Sequence, residues 1–244
     1  VVTGSIAFDY LMRFPGRFSD HLIADKLDHI SVSFLVESLT RQRGGVAANI
    51  AFSLGLLGET PVLMGTAGHD FGEYNAWLEK HGVDTSPVRV IEDEFTASFF
   101  ANTDSDNNQI GSFYTGAMAS SKGYTLTEAL GEMPDLVVVS PSDPVAMSEL
   151  AEECAQKNVP FLFDPSQQVI WLDADFLNHG IERCDMLIVN AYEWDMIVKK
   201  TDLKIEDLTS AGKKLIITQG SEGADIYADG TLHKVPVFPV AKDD

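Results

Sequence analysis

The 244-residue chain has few of the residues that mark several common classes of protein. It contains two cysteines, Cys154 and Cys184, and it has neither a C-x-x-C pair nor clustered histidines. A disulfide framework and a zinc site are therefore not expected. Only 17 Lys and Arg residues stand against 37 Asp and Glu residues. This excess of negative charge argues against nucleic acid or an anionic membrane as a partner.

Long apolar runs and the common phosphate-binding motifs are missing as well. No stretch has the length of a membrane span, and the first residues are typical of a β-strand rather than a signal peptide, so we expect a cytoplasmic protein. The chain contains neither G-x-G-x-x-G nor G-x-x-x-x-G-K-[ST], which argues against a dinucleotide fingerprint and a Walker A loop. With 45% hydrophobic residues, the chain can still bury a large core.

Apolar stretches of strand length alternate with stretches of helical period. This pattern is typical of βαβ units around a mostly parallel sheet. The predicted strands lie near Val1–Ile6, Pro61–Gly65, Leu136–Ser140, Phe161–Asp164, Met186–Asn190 and Leu215–Thr218. The predicted helices lie near Val46–Leu57, Tyr74–His81, Val145–Lys157, Tyr192–Lys199 and Ile205–Ser210.

Two regions, at 11–41 and 88–113, interrupt this alternation. In the second region, apolar and polar side chains alternate on both sides of a polar turn at 104–108, which is typical of a β-hairpin outside the parallel sheet. We therefore predict one α/β domain over residues 1–244 with a small β-sheet lid. The lid segments are expected at about 10–40 and 88–115.

The stretch Gly44–Gly58 is the most informative, because two adjacent glycines lead into a helix of small and apolar residues. Glycine permits backbone angles that are closed to other residues, and the first turn of a helix carries unpaired N–H groups that a polar ligand can reach. The Asn49 amide follows Gly45 by four residues and offers both a donor and an acceptor. For the glycine pair alone, a tight turn into a buried helix is the alternative.

Polar residues also follow the first predicted strand, at the edge where open α/β sheets bind ligands. Asp9 is a candidate to accept hydrogen bonds from two sugar hydroxyls, with an Asx turn as the alternative, and Ser5 lies beside it in sequence. Ser33, Phe99 and Phe113 are candidates for a cover over a planar ring, because aromatic faces stack on such rings. Ordinary core packing is the alternative for each phenylalanine.

Three later strand ends are polar in the same way. The segment Asp164–Gln168 brings a carboxylate to this edge. Asn190 can cap the next helix with Glu193 at its third position, and Glu193 is also able to order a hydrated Mg²⁺ beside triphosphate oxygens. The glycines of Thr218–Gly223 would let the backbone pass close to a nucleotide, and a hairpin turn is the alternative.

Three of these stretches resemble signatures of the PfkB, or ribokinase-like, family of sugar and nucleoside kinases. Gly44–Asn49 resembles the first family signature, Asn190–Glu193 the N-x-x-E motif, and Thr218–Gly223 the T-x-G-x-x-G segment. The likeness spans essentially the whole chain. Further stretches resemble the adenosine kinases of mycobacterial type within this family. They are Gly4–Asp9, Met12–Ser19, Ser33–Val36, Ser112–Met118, Asp164–Gln168 and Tyr192–Asp195.

The resemblance implies a ribokinase-like, mostly parallel sheet sandwiched by helices, with a β lid that is often used for dimerisation. It also implies transfer of the γ-phosphoryl group of ATP to the 5′-hydroxyl of a nucleoside, with Mg²⁺ as the metal and adenosine as the favoured substrate. A sugar kinase of the same family is one alternative. A ligand-binding member of the family without catalysis is the other.

The resemblance assigns residues by motif position to two sites. The substrate site is expected to contain Ser5, Asp9, Ser33, Gly44, Gly45, Asn49, Phe99, Phe113 and Gln168. The ATP site is expected to contain Asn190, Thr218, Gly220 and Gly223, with Glu193 acting on Mg²⁺ through water. The family's second signature, which carries the catalytic aspartate, is expected beyond Asp244. No catalytic base is therefore assigned within the 244 residues, and the chain by itself is expected to be inactive.

Overall fold

The computed structural model describes residues 1–22 and 31–239, which form two β-sheets and the helices packed around them. In chain order the strands are β1 (Val2–Thr3), β2 (Ala7–Arg13), β3 (Ser38–Gly44), β4 (Leu63–Gly68), β5 (Val88–Ile91), β6 (Ala97–Thr103), β7 (Gln109–Tyr114), β8 (Val137–Val139), β9 (Phe161–Phe163), β10 (Met186–Asn190), β11 (Lys214–Thr218), β12 (Ala224–Ala228) and β13 (Thr231–Val235). The helices are α1 (Val46–Leu56), α2 (Gly72–Lys80), α3 (Leu126–Ala129), α4 (Pro144–Lys157), α5 (Ala174–Arg183), α6 (Ala191–Thr201) and α7 (Ile205–Ser210).

The larger sheet, which we call the main sheet, has nine strands in the order β13-β12-β11-β10-β9-β8-β1-β4-β5. Its strands from β11 to β5 run parallel to their neighbours, and β12 and β13 continue it antiparallel. The predicted α/β fold with a mostly parallel sheet is therefore confirmed. Because parallel strands end at the same edge, the polar residues after β1, β9, β10 and β11 all come to one side of the molecule.

The first strand of the main sheet is shorter than the predicted Val1–Ile6. It ends at Thr3, because the chain turns at Gly4, whose φ is +144° and whose Cα packs directly against the Ser140 hydroxyl. The chain then begins β2 at Ala7 in the second sheet. This turn places Ser5 between the two sheets.

The second sheet, which we call the small sheet, has the strand order β3-β2-β6-β7. Strands β6 and β7 form the predicted hairpin around 104–108, and β2 pairs antiparallel with β3 and parallel with β6. The buried Asp104 carboxylate organises the hairpin turn by accepting N–H bonds from Asp106 and Asn108, and it ties the turn to Phe18. Strand β5, within the predicted lid segment 88–115, lies instead in the main sheet beside β4.

Helix α5 is absent from the predicted helices, although its sequence carries a helical signal. The Asp173 carboxylate caps it by accepting a bond from the Phe176 N–H at 2.8 Å, as aspartate does at many helix starts. Its buried residues Leu177, Gly180 and Ile181 recur at the spacing of one helix face. Helix α5 therefore adds one element to those predicted from the sequence.

Two apolar clusters attach the helices to the main sheet. One cluster joins α4, α5, α6 and α7 to β8–β11, and Phe161, Leu177 and Leu187 are among its fully buried side chains. The other joins α1 and α2 to β1 and β4, and it includes Phe8 of the small sheet. Phe8 therefore anchors the small sheet to the main body. No helix within residues 1–22 and 31–239 is long and apolar enough to cross a membrane.

Candidate active site

The turn from β3 into α1 packs against the connection between β1 and β2. Gly45 has a φ of +90°, and a Cβ atom at this position would lie 2.5 Å from the Ser5 carbonyl oxygen and 2.6 Å from the Ala7 nitrogen. The Ser5 Oγ accepts a hydrogen bond of 2.9 Å from the Val46 N–H, at the start of α1. At Gly45, the close approach that requires glycine is therefore made by the protein's own backbone.

Gly44, the other glycine of the pair, lies directly against the Asp9 side chain. A Cβ atom at Gly44 would be 2.5 Å from the Asp9 Oδ2 and 2.8 Å from its Cγ, so only glycine leaves the carboxylate in its place. Burial raises the pKa of the Asp9 carboxyl above its ordinary value. A partly desolvated carboxylate is a strong hydrogen-bond acceptor, and this one lies beside the start of α1.

Asp9, Phe99 and Phe113 are direct neighbours across three strands of the small sheet. Asp9 of β2 lies opposite Phe99 of β6, and Phe99 lies opposite Phe113 of β7. Paired residues project to the same face of a sheet, so the carboxylate and the two rings share one face. Phe113 is 50% exposed, which leaves its ring surface accessible. A polar acceptor followed by two aromatic rings suits a ligand that joins hydroxyl groups to a planar ring.

The other predicted substrate residues are placed in three different ways. Asn49 is exposed in the first turn of α1, and Ser33 is exposed in the irregular segment before β3. The Gln168 Nε2 donates to the Ser142 carbonyl oxygen at 2.7 Å. The Gln168 Oε1 is buried and has no hydrogen-bond partner among the described residues. An unpaired buried acceptor costs free energy, which a donor on a ligand would recover.

Asn190 and Thr218 lie side by side, because they are register partners at the ends of β10 and β11. The Asn190 side chain accepts a bond from the Glu193 N–H at 2.8 Å, and the Glu193 carboxylate accepts one from the Asn190 N–H at 2.7 Å. The two residues form a capping box at the start of α6. Asn190 and Glu193 therefore act as helix caps in this structure, as the alternative interpretation of this motif predicted.

Asp164, which follows β9, faces Glu193 across the end of the main sheet. Burial, reinforced by the negative charge of Glu193, raises the pKa of Asp164 to about 7, and a bond from the Ser166 N–H opposes this rise only in part. A cation would relieve the repulsion between the two carboxylates. The described residues hold no metal-binding cluster of three or more His, Cys, Asp or Glu side chains. Two carboxylates of this kind are compatible with an ion that keeps most of its waters.

Asp164→Asn is expected to stabilise the protein at pH 8 and to change its stability little at pH 4. The Asp164 pKa rises from 3.8 to about 7 on folding, so the wild-type protein loses stability as the pH rises between these two values. At about 1.4 kcal/mol for each pKa unit, the gain in the free energy of unfolding reaches at most roughly 4 kcal/mol above pH 7.

Urea unfolding of the wild type and of Asp164→Asn at pH 4, 6 and 8 measures this difference. Asp93→Asn is the matched control, because Asp93 is exposed in the turn after β5. An Asp164→Asn protein that is less stable than the wild type at pH 8 would contradict the raised pKa of Asp164.

The two glycines after β11 differ in their surroundings. Gly220 has a φ of +57°, and a Cβ atom there would meet no other atom within 4 Å, so a ligand has room to approach. Gly223 has a φ of +96°, and its Cα packs against the Val235 carbonyl group at the end of β13. The Thr218 Oγ1 makes only a long bond of 3.5 Å to the Val189 carbonyl oxygen. The turn into β12 and its contact with β13 therefore account for the glycine at position 223. Gly220 remains a candidate for nucleotide contact.

The structure thus gathers the predicted residues into two groups. One group lies at the junction of the two sheets and consists of Ser5, Asp9, Gly44 and Gly45. The other is the pair of Asn190 and Thr218, which lies further along the main sheet, beyond β8 and β9.

Two residues outside the predicted sites join these groups. Asp164 has a sequence signal, since it directly follows an apolar strand. Gln42, opposite Asp9 in the small sheet, has none.

The main sheet with polar groups at one edge and the small sheet beside it form an α/β fold of the ribokinase type. Sequence comparison identifies the family, because the profile of the pfkB family carbohydrate kinases matches residues 7–242. The chain belongs to this family.

Nucleoside kinases are among the proteins that this chain resembles in sequence and in structure. A nucleoside kinase from Methanothermobacter thermautotrophicus is 30% identical over 242 residues, which are 98% of this chain and 75% of that protein. The structure of Burkholderia thailandensis nucleoside kinase in complex with inosine is 35% identical, with a TM-score of 0.79 over 96% of this chain and 74% of that one. The Methanocaldococcus jannaschii nucleoside kinase structure is 27% identical, with a TM-score of 0.84 over 99% of this chain and 77% of that one.

Proposed function

We propose that this protein phosphorylates the 5′-hydroxyl of a nucleoside with ATP, and that adenosine is its favoured substrate. The observation that carries the proposal is the row of Asp9, Phe99 and Phe113 on one face of the small sheet. The Asp9 carboxylate would accept bonds from the two ribose hydroxyls, and the rings would stack on the base. A free sugar offers no planar ring to these phenylalanines. The nucleoside kinases among its relatives support the same substrate class.

ATP and Mg²⁺ would occupy the edge of the main sheet near β10 and β11. The open space at Gly220 fits a nucleotide close to the backbone, and the paired carboxylates of Asp164 and Glu193 fit a hydrated cation. The ion would neutralise charge on the phosphate oxygens during transfer. The similar Burkholderia thailandensis enzyme is also known in a complex with ADP-inosine, which supports a nucleotide as the phosphate donor.

Calorimetric titration of the 244-residue protein with adenosine, inosine and ribose tests the substrate class. Binding is the first measurement, because it reports directly on the candidate substrate site. We expect adenosine to bind most tightly, inosine to bind as well, and ribose to bind far more weakly. Turnover of the same three compounds is then measured on the natural full-length protein.

Phe113→Ala is the matched variant for this titration. It should weaken nucleoside binding, since stacking on an aromatic side chain contributes about 1–3 kcal/mol per base, and it should leave ribose binding unchanged. A preference for ribose would replace the proposal by a sugar kinase of the same family. Adenosine binding without turnover in the natural full-length protein would support the non-catalytic alternative.

We also propose that the small sheet pairs two copies of the protein. Its other face carries partly exposed apolar side chains, and apolar surface of this kind is typical of an interface between proteins. These side chains are Leu39, Phe100, Ile110 and Tyr114. Sedimentation velocity is expected to show a dimer, which Phe100→Lys should dissociate. A wild-type monomer at high protein concentration would contradict this proposal.

A further inference from the structure

Tyr74 of α2 contacts the backbone of the candidate substrate site, although it belongs to neither predicted site. Its hydroxyl donates a buried hydrogen bond of 2.9 Å to the carbonyl oxygen of Gly44. Burial raises the pKa of the Tyr74 phenol, Arg43 opposes the rise, and Asp9 adds to it. The phenol therefore stays protonated and remains a donor.

The Tyr74 ring is held firmly, so its hydroxyl has a defined position. The side chain is 1% exposed, and its ring lies 5.4 Å from that of Phe8, 5.7 Å from that of Phe71 and 5.9 Å from that of Trp77 between centroids. Phe8 directly precedes Asp9 in β2. Tyr74 thus contacts the neighbours of the Asp9 carboxylate on two strands, Phe8 on β2 and Gly44 on β3.

The bond to Gly44 also determines the direction of the next N–H group. The Gly44 carbonyl and the Gly45 N–H belong to one planar peptide unit, in which they point in opposite directions. Since Tyr74 holds the carbonyl toward α2, the Gly45 N–H points away from α2. Gly44 itself lies against the Asp9 carboxylate, so this peptide borders the place where a bound diol would meet Asp9.

We propose that Tyr74 is a positioning residue for nucleoside binding. Its hydroxyl orients the Gly44–Gly45 peptide so that the Gly45 N–H donates to a ribose hydroxyl that Asp9 also contacts. The inference rests on the proposed nucleoside site and adds a specific role for helix α2, since the hydroxyl acts on the ligand only through this peptide.

Tyr74→Phe removes one oxygen atom and keeps the packed ring. We expect the affinity for adenosine to fall about tenfold, the upper end of the effect of one neutral hydrogen bond. Tyr124→Phe is the matched control, because the Tyr124 hydroxyl likewise donates to a backbone carbonyl, that of Pro87, at 2.7 Å. This control should lose a similar amount of thermal stability and bind adenosine like the wild type.

Deoxynucleosides and NMR separate positioning from a general loss of structure. The loss caused by Tyr74→Phe should shrink for 2′-deoxyadenosine or for 3′-deoxyadenosine, whichever lacks the hydroxyl that Gly45 contacts. In glycine-labelled wild-type protein, adenosine should shift the amide resonance of Gly45. Equal losses for all three nucleosides, or a Gly45 resonance that adenosine leaves in place, would overturn the inference.

The wild-type titration distinguishes this inference from the proposed function. If the wild type binds adenosine and Tyr74→Phe binds it equally well, the inference fails and the proposed function stands. If the wild type binds no nucleoside, the proposed function fails and the role of Tyr74 fails with it.

Discussion

Asp9→Ala is expected to weaken adenosine binding by about 30- to 1000-fold in a protein that keeps its fold. Hydrogen bonds to a charged group contribute about 1.5–3 kcal/mol each and are not additive, so two ribose hydroxyls together are worth on the order of 2–4 kcal/mol. The side chain is not part of the apolar core. Its removal takes away the acceptor and leaves the two rings of the site in place.

Calorimetry with adenosine and with 2′,3′-dideoxyadenosine measures this effect. The variant should discriminate far less between the two compounds, because the charged acceptor for their ribose hydroxyls is gone. In the wild type, adenosine affinity should fall as the pH is lowered toward the raised pKa of Asp9, since protonation removes the charged acceptor. Asp93→Ala, at an exposed position, is the control. Unchanged adenosine affinity in folded Asp9→Ala would remove Asp9 from the site.

Gly45→Ala is expected to destabilise the whole protein, by about 4 kcal/mol or more. The backbone at Gly45 has a φ of +90°, which side chains disfavour. The added Cβ would also lie 2.5 Å from the Ser5 carbonyl oxygen and 2.8 Å from the Ile6 Cα. These atoms belong to the connection between the two sheets and cannot move alone. A loss of this size is rare for a single substitution and indicates backbone strain.

Gly44→Ala is the matched control, because the atoms that its Cβ would meet belong to the Asp9 side chain. A side chain can rotate away, so this variant should fold and bind adenosine weakly. Thermal unfolding and calorimetry on both variants therefore separate the two glycines. A Gly45→Ala protein with the melting temperature of the wild type would contradict this prediction, because it would show that the backbone between the two sheets can move to accommodate a Cβ atom.

The secondary structure near the site was largely predictable, because it depends on local patterns. Alternating side chains around the polar turn at 104–108 predicted the β6–β7 hairpin, and two glycines before a run of alanines predicted α1. Helix α5 also has local signals, a cap at Asp173 and an apolar face, although it is absent from the predicted helices. The end of β1 at Thr3 depends on contact between Gly4 and Ser140, which are distant in sequence.

The sequence by itself determined that polar residues follow the strands of the main sheet, and it contains the motifs that identify the family. Both can be read from local patterns, namely apolar strands and glycine turns. Only the tertiary structure decided which residues meet. The register of three strands placed Asp9 beside Phe99 and Gln42, and the packing of α2 brought Tyr74 to Gly44. The pairing of Asp164 with Glu193 depends likewise on the order of β9 and β10 in the main sheet. Such contacts join distant segments, so they follow from packing and strand order rather than from any local pattern.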